Sequence, residues 1–277
     1  MTKKKNTMPK WLPYVIFAAI VVFSIYSTYR LDARNQPTET TIPTATTSET
    51  TPTSKSSNET TPVSTPASSS GMAALYSDAS AIDVSKLPDN VYAIPLNNGV
   101  PYFTDEELTL DAYEYYSPLD NLGRCGYAMA CITTDLQPAA GENRDSISSV
   151  KPSGWKSYKA DDVDGGWLYN RSHLIGWQLT AENANKLNLI TGTRQFNVDG
   201  MLPQEMAVAN VLKDYPGIHI MYRVTPIYSG NNLVANGVVM EAFSVDDNGS
   251  AISFCFFIPN TQKGWTIDYA TGKAKQN

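Results

Sequence analysis

The chain contains only two histidines, and an imidazole is the side chain best suited to accepting a proton near neutral pH. His219 opens an alternating run and reads as structural. His173 stands in Tyr169-Asn-Arg-Ser-His-Leu-Ile-Gly176, two residues after Arg171. Asparagines follow it at 183, 185, 188 and 197, and Glu205 comes eight residues after the last of these. These types suit hydrolysis of a phosphodiester. Water must lose a proton as it attacks phosphorus, which a neutral imidazole accepts. Charge then grows on phosphate and leaving oxygens, which a divalent cation stabilises. Magnesium takes oxygen ligands and keeps most of its waters, so one amide oxygen can suffice to hold it. Asn183 and Asn185 read as ordinary turn residues. Ser172 beside His173 is not a nucleophile–base pair, because such partners meet through the fold and not as chain neighbours.

NRSHLIG, with Asn188, Asn197 and the Gly200-Met-Leu-Pro-Gln-Glu205 run, resembles the ββα-metal nucleases. More narrowly it is similar to the bacterial DNA-entry nucleases of the DNA/RNA non-specific endonuclease family, whose signature is Asp-Arg-Gly-His. Asn170 and Ser172 depart from that signature; Arg171 and His173 keep it. LGRCGYAMACI (122–132) and IPNTQKGWTIDYATG (258–272) share the resemblance, which spans most of residues 90–272. It implies His173 as general base and Asn197 as the direct magnesium ligand, with manganese a possible substitute. It implies that Asn188 positions the motif or the scissile phosphate, and that Glu205 holds metal-bound water in the manner of outer groups that orient ligands. Arg171 binds or neutralises phosphate, or packs locally. An upstream arginine or lysine contacts phosphate in this picture, with Arg144 and Lys151 as the candidates. The implied substrate is DNA, with RNA a further one.

The elements that must position these residues are those of an α+β domain. The resemblance makes it a ββα-metal nuclease fold, a central, mostly antiparallel sheet flanked by helices. Residues 126–133, 219–228, 237–243 and 253–258 read as strands, and 202–215 as a helix stopped by Pro216-Gly217. A strand over 166–169 enters a loop at Asn170. Short extended pieces run from Leu87 to Phe103, and Thr104-Asp-Glu-Glu107 forms a capping box ahead of a short helix. No helix-turn-helix, zinc-finger or RNA-binding signature is present, so base-specific reading is not expected.

Residues 72–277 hold 14 basic and 23 acidic side chains, a net charge of −9. That balance opposes a polyanionic substrate unless positive charge is local to the cleft or a bound cation supplies it. With the departures at 170 and 172 it supports a second reading, a domain of this fold that has lost activity. Cys125, Cys131 and Cys255 are odd in number and read as buried thiols, one bridge plus a free thiol being the alternative. The first two are too far apart along one strand to bond. Residues 11–29 carry no charge and are long enough to cross a bilayer as a helix. Lysines 3, 4, 5 and 10 precede them, which keeps residues 1–10 in the cytoplasm and puts the domain outside the cell. A cleaved signal peptide is the competing reading, but SIYSTYRLDAR offers a poor cleavage site. Residues 30–71, rich in Thr, Ser and Pro, read as a disordered stalk. The domain itself is expected to cover 72–277.

Overall fold

The computed structural model describes residues 75–277. The expected membrane span at 11–29 and the stalk at 30–71 lie outside these residues. Among the described residues no helix is long and apolar enough to cross a membrane.

The centre is a six-stranded sheet, antiparallel at every pairing, in the order β1-β8-β7-β6-β3-β2. The strands are β1 (Ile94–Pro95), β2 (Tyr113–Tyr116), β3 (Ala128–Ile132), β6 (Ile220–Ile227), β7 (Gly237–Ser244) and β8 (Ser253–Pro259). Successive strand residues face opposite sides. Ala128, Ala130 and Ile132 therefore join one core cluster, and Met129 and Cys131 the other. Both faces are covered, which is why this stretch is apolar without alternation.

One face packs against Tyr76, Val84 and Leu96 of the amino-terminal segment, which includes the four-residue helix α1 (Ser77–Ser80). The other packs against Leu174, Ile175, Leu179, Phe196, Val208 and Leu212. Those residues come from the elements that build the site. A separate antiparallel hairpin joins β4 (Tyr169–His173) to β5 (Leu189–Thr193), and the short helix α2 (Trp177–Thr180) lies between them. A π-helical turn (Phe196–Met201) then runs directly into α3 (Leu202–Asp214). In α3 the buried positions Glu205, Val208 and Leu212 recur at helical spacing. A second small hairpin pairs β9 (Trp265–Asp268) with β10 (Lys273–Gln276).

The four strands and the helix expected around 126–258 form close to their predicted bounds. Two expectations are corrected. The strand expected at 166–169 lies instead at Tyr169–His173, so the histidine motif is part of a hairpin and not a loop. Its polar letters hide it, because the strand gains its partner from β5 and not from an apolar period. Thr104–Glu107 closes only a turn. The capping bond from Thr104 N to Glu107 Oε2 forms at 3.0 Å, but the other Glu107 oxygen takes Arg223 at 2.7 Å.

That ion pair belongs to a buried network. Arg223 and Glu241 are directly opposed on β6 and β7. Glu241 accepts from Arg223 Nε at 2.8 Å, from the Tyr102 amide at 2.6 Å, and from the Tyr76 hydroxyl. It thus pins the amino-terminal segment to the sheet. The three cysteines are free and buried, and burial pushes Cys125 and Cys131 thiols up to about 12. Removing one partner of a buried pair strands the other charge, at a cost of about 3–5 kcal/mol. Glu241→Ala should lower the unfolding free energy of the full chain by about that amount in urea denaturation. A loss under about 1 kcal/mol, the scale of an exposed pair, would mean the network does not hold this face.

Candidate active site

β4 ends at His173, and the hairpin carrying it needs close approach. A Cβ on Gly192 would lie 2.3 Å from Ser172 Oγ and 2.5 Å from Phe196 Cδ1. Gly192 therefore makes the space that Ser172 fills, which accounts for a serine where the family signature has glycine. Asn260, fully buried, fastens the hairpin to the main sheet. Its amide oxygen accepts from Thr193 N at 2.9 Å, and its nitrogen donates to Thr191 O and Ala235 O at 3.0 Å.

Beyond His173 the chain is laced by asparagines. Asn188 is sealed, accepting from Ile175 N and donating to Ile175 O, both at 2.9 Å. Both polar atoms of the Asn188 amide are thus engaged by the main chain of Ile175. Asn185 caps a turn through Leu187 N at 2.9 Å, as expected. The loop just before them presents the Asn183 carbonyl to His173 Nε2 at 2.7 Å. Sequence reading missed that contact because a main-chain oxygen has no letter.

The other ring nitrogen, Nδ1, lies 2.9 Å from Arg144 Nη2. A guanidinium only donates, so Nδ1 is the acceptor and Nε2 carries the proton. Burial holds His173 down at about 4, with the Asn183 carbonyl opposing and the Arg144 charge adding to the fall. The ring is 5 % exposed, yet its edge lines a cleft of about 720 Å³.

Asn197 and Glu205 line the same cleft. Asn197 lies in the π-turn, a distortion often found at functional sites. It is half-buried, and its side chain makes no hydrogen bond among the described residues. Glu205 occupies the first turn of α3, where the helix dipole favours a carboxylate. Burial still raises it to about 7, with Arg144 opposing. Gly176 makes room for it, since a Cβ there would lie 2.5 Å from Glu205 Oε2.

Three arginines line the cleft against this one carboxylate, so positive charge is local to it despite the acidic domain. Arg171 is committed to packing. It donates to Val150 O and, at 2.9 Å, to Ser148 O, and lies 4.1 Å over the Trp155 ring. Arg194, which sequence reading did not single out, pairs with Asp164 at 2.9 Å. A lone cation after a strand gave no signal of its own. Arg144 reaches the cleft and Lys151 is not among its lining residues. His219 pairs with Asp246 at 3.2 Å, away from the cleft, and is structural as expected.

Among the described residues no three His, Cys, Asp or Glu side chains gather as a metal cage. One unpartnered amide oxygen and one nearby carboxylate do suit a largely hydrated hard cation.

The family model for DNA/RNA non-specific endonucleases matches residues 105–246. A deoxyribonuclease of Streptococcus dysgalactiae subsp. equisimilis is 28% identical over 196 residues, 57% of this chain and 59% of that protein. The chain thus spans about three-fifths of that relative's length. NucA from Streptococcus agalactiae, solved with magnesium bound, is 26% identical with a TM-score of 0.60, covering 73% of this chain and 95% of NucA. The Sda1 nuclease, solved with zinc bound, is 25% identical with a TM-score of 0.58, covering 71% of this chain and 100% of Sda1. The family match takes in β4, the Asn188 clamp, Asn197 and Glu205 together, and the chain belongs to the DNA/RNA non-specific endonuclease family.

Proposed function

We propose that this chain is a metal-dependent nuclease that hydrolyses phosphodiester bonds of DNA, and of RNA, without reading base sequence. One observation carries this reading: a neutral histidine, its only lone pair met by Arg144, lines a cleft together with arginines, a carboxylate and an asparagine whose side chain has no partner among the described residues. The β4–β5 hairpin and α3 correspond to the ββα-metal unit in this reading.

His173 is the general base. Its Nδ1 takes a proton from water, while Nε2 keeps its own proton and donates it in a hydrogen bond to the Asn183 carbonyl, which supports the imidazolium that forms. The water oxygen bonds to phosphorus, the bond to the leaving oxygen breaks, and that oxygen gains a proton from solvent. Asn197 would hold the cation directly and Glu205 would hold its water. Magnesium is the proposed ion and manganese a substitute; the metal-bound relatives, one with magnesium and one with zinc, support a divalent ion. When bound, it would neutralise charge growing on the phosphate. Arg144 and Arg194 supply further positive charge, and contacts limited to phosphate carry no base information.

We also read residues 11–29 as a single membrane span with residues 1–10 in the cytoplasm. Residues 30–71 then form a spacer, and residues 72–277 act outside the cell. The charge-free apolar run and its lysine-rich leading flank support this.

Plasmid degradation by the full chain should require magnesium and stop with EDTA; no metal-dependent cleavage would leave only a tethered binding domain. His173→Ala should lower the rate roughly 10²–10⁴-fold, the range for a lost general base. Because burial holds His173 below the 6.5 of a free imidazole, the ring stays neutral as pH falls below that value. With magnesium saturating, the acid limb of kcat/KM should therefore lie below 6.5; a limb at or above it that Glu205→Gln leaves in place would assign the base elsewhere. Asn197→Ala should shift magnesium activation to higher concentration or abolish it; an unchanged titration would move the ligand to another residue. Cleavage should slow with rising salt, because phosphate contacts release counterions. A rate that stays flat up to physiological ionic strength argues against a polyanionic substrate.

A further inference from the structure

Of the three arginines at the cleft, two are pinned. Arg171 is bonded to main-chain carbonyls and Arg194 to Asp164. Arg144 differs. Its one hydrogen bond among the described residues is to the imidazole, and it has no carboxylate within ion-pair distance. It is exposed and sits in a stretch, 138–157, without helix or strand. Its guanidinium nevertheless occupies the single lone pair of the neutral ring. A guanidinium has no acceptor and keeps its protons, so Nδ1 cannot take one from water while that bond holds. An anionic phosphate oxygen is a much better partner, since charge-assisted hydrogen bonds are about twice as strong as neutral ones.

We propose that Arg144 is a displaceable cap on the His173 base: it closes Nδ1 in the free protein and turns onto a phosphate oxygen when nucleic acid docks. The substrate itself then opens the base that acts on it. This rests on the nuclease reading of the same cleft. It makes Arg144 a positioning residue, distinct from a fixed phosphate clamp, because it must leave one partner to reach the other. The Asn183 carbonyl keeps the ring in place during the exchange, so that Nδ1 is released without the ring turning.

The test is ¹⁵N NMR of the full chain labelled at histidine, in EDTA, where no cleavage occurs. With only two histidines the signals are assigned by His219→Gln. In the wild type, a thymidine dinucleotide should move the His173 Nδ1 signal saturably. In Arg144→Ala the signal should already stand at the shifted position and move less than about a fifth as far. Arg144→Lys should start from a signal distinct from that of Arg144→Ala and need more dinucleotide to reach the shifted position. Unchanged His219 signals report an intact fold. Coincident Nδ1 signals in wild type and Arg144→Ala would overturn the proposal, as would a wild-type signal that no dinucleotide concentration moves. Plasmid cleavage measured in parallel separates the two readings. Cleavage with an unmoved Nδ1 sinks the cap and keeps the nuclease; a moved Nδ1 without cleavage keeps the cap and sinks the nuclease.

Discussion

A neutral imidazole is a base at only one of its nitrogens, and here the Asn183 carbonyl decides which. By accepting from Nε2 at 2.7 Å, it leaves the lone pair on Nδ1, where Arg144 meets it at the cleft. The rest of the site depends on keeping that oxygen where it is. A carbonyl on a free loop would not hold a tautomer. The Asn188 amide ties the start of the loop to its end through both main-chain groups of Ile175, and Asn185 closes the turn between. Burial then does the remaining work. With few waters around the ring, the charged form is disfavoured, and the base stays unprotonated where a solvated histidine would begin to titrate.

The electrostatics of the domain resolve along the same lines. A net charge of −9 over residues 72–277 is a sum over the whole segment. What a docked phosphate meets is a concave surface lined by three arginines, and fields in such clefts are set by nearby groups more than by distant ones. Glu205 is the exception that the site requires. Burial raises its carboxyl to about 7, and the helix end and Arg144 both favour the charged form. An acid of this kind is uncomfortable alone and is relieved by positive charge. This is the electrostatic counterpart of Asn197, an amide with no partner of its own.

How much of this was legible follows from what letters encode. The largely apolar runs of six to ten residues at 126–133, 219–228 and 253–258 mark the central sheet, because burial on both faces leaves a composition that needs no partner to be recognised. That His173, Asn197 and Glu205 share one cleft was legible because a chemistry needs those side-chain types together and a family pattern spaces them. β4 and β5 were not. Asn170, Arg171 and Ser172 look like loop, and only the opposing Thr191-Gly192-Thr193 makes them strand. Arg171 was readable as a cation, but its packing under Trp155 depends on main-chain carbonyls of Ser148 and Val150. The same limit hid the Asn183 oxygen. Contacts made by backbone, or by space that a missing Cβ leaves open at Gly176 and Gly192, belong to the fold and not to the residue.

The two faces of the central sheet divide the labour. The site elements cover one face, and the amino-terminal segment covers the other through Tyr76, Tyr102 and the buried Arg223–Glu241 pair. The chain enters the described fold at Leu75, on the second face. A network of charge-assisted bonds across β6 and β7 holds that segment, with the sheet between it and the elements that carry the site. A buried ion pair adds little to stability over an apolar substitute. Directional bonds that tie one segment to two strands at once do something an apolar patch does not, which is to fix where that segment may leave. Here those bonds hold the amino-terminal segment on the face of the sheet away from the cleft.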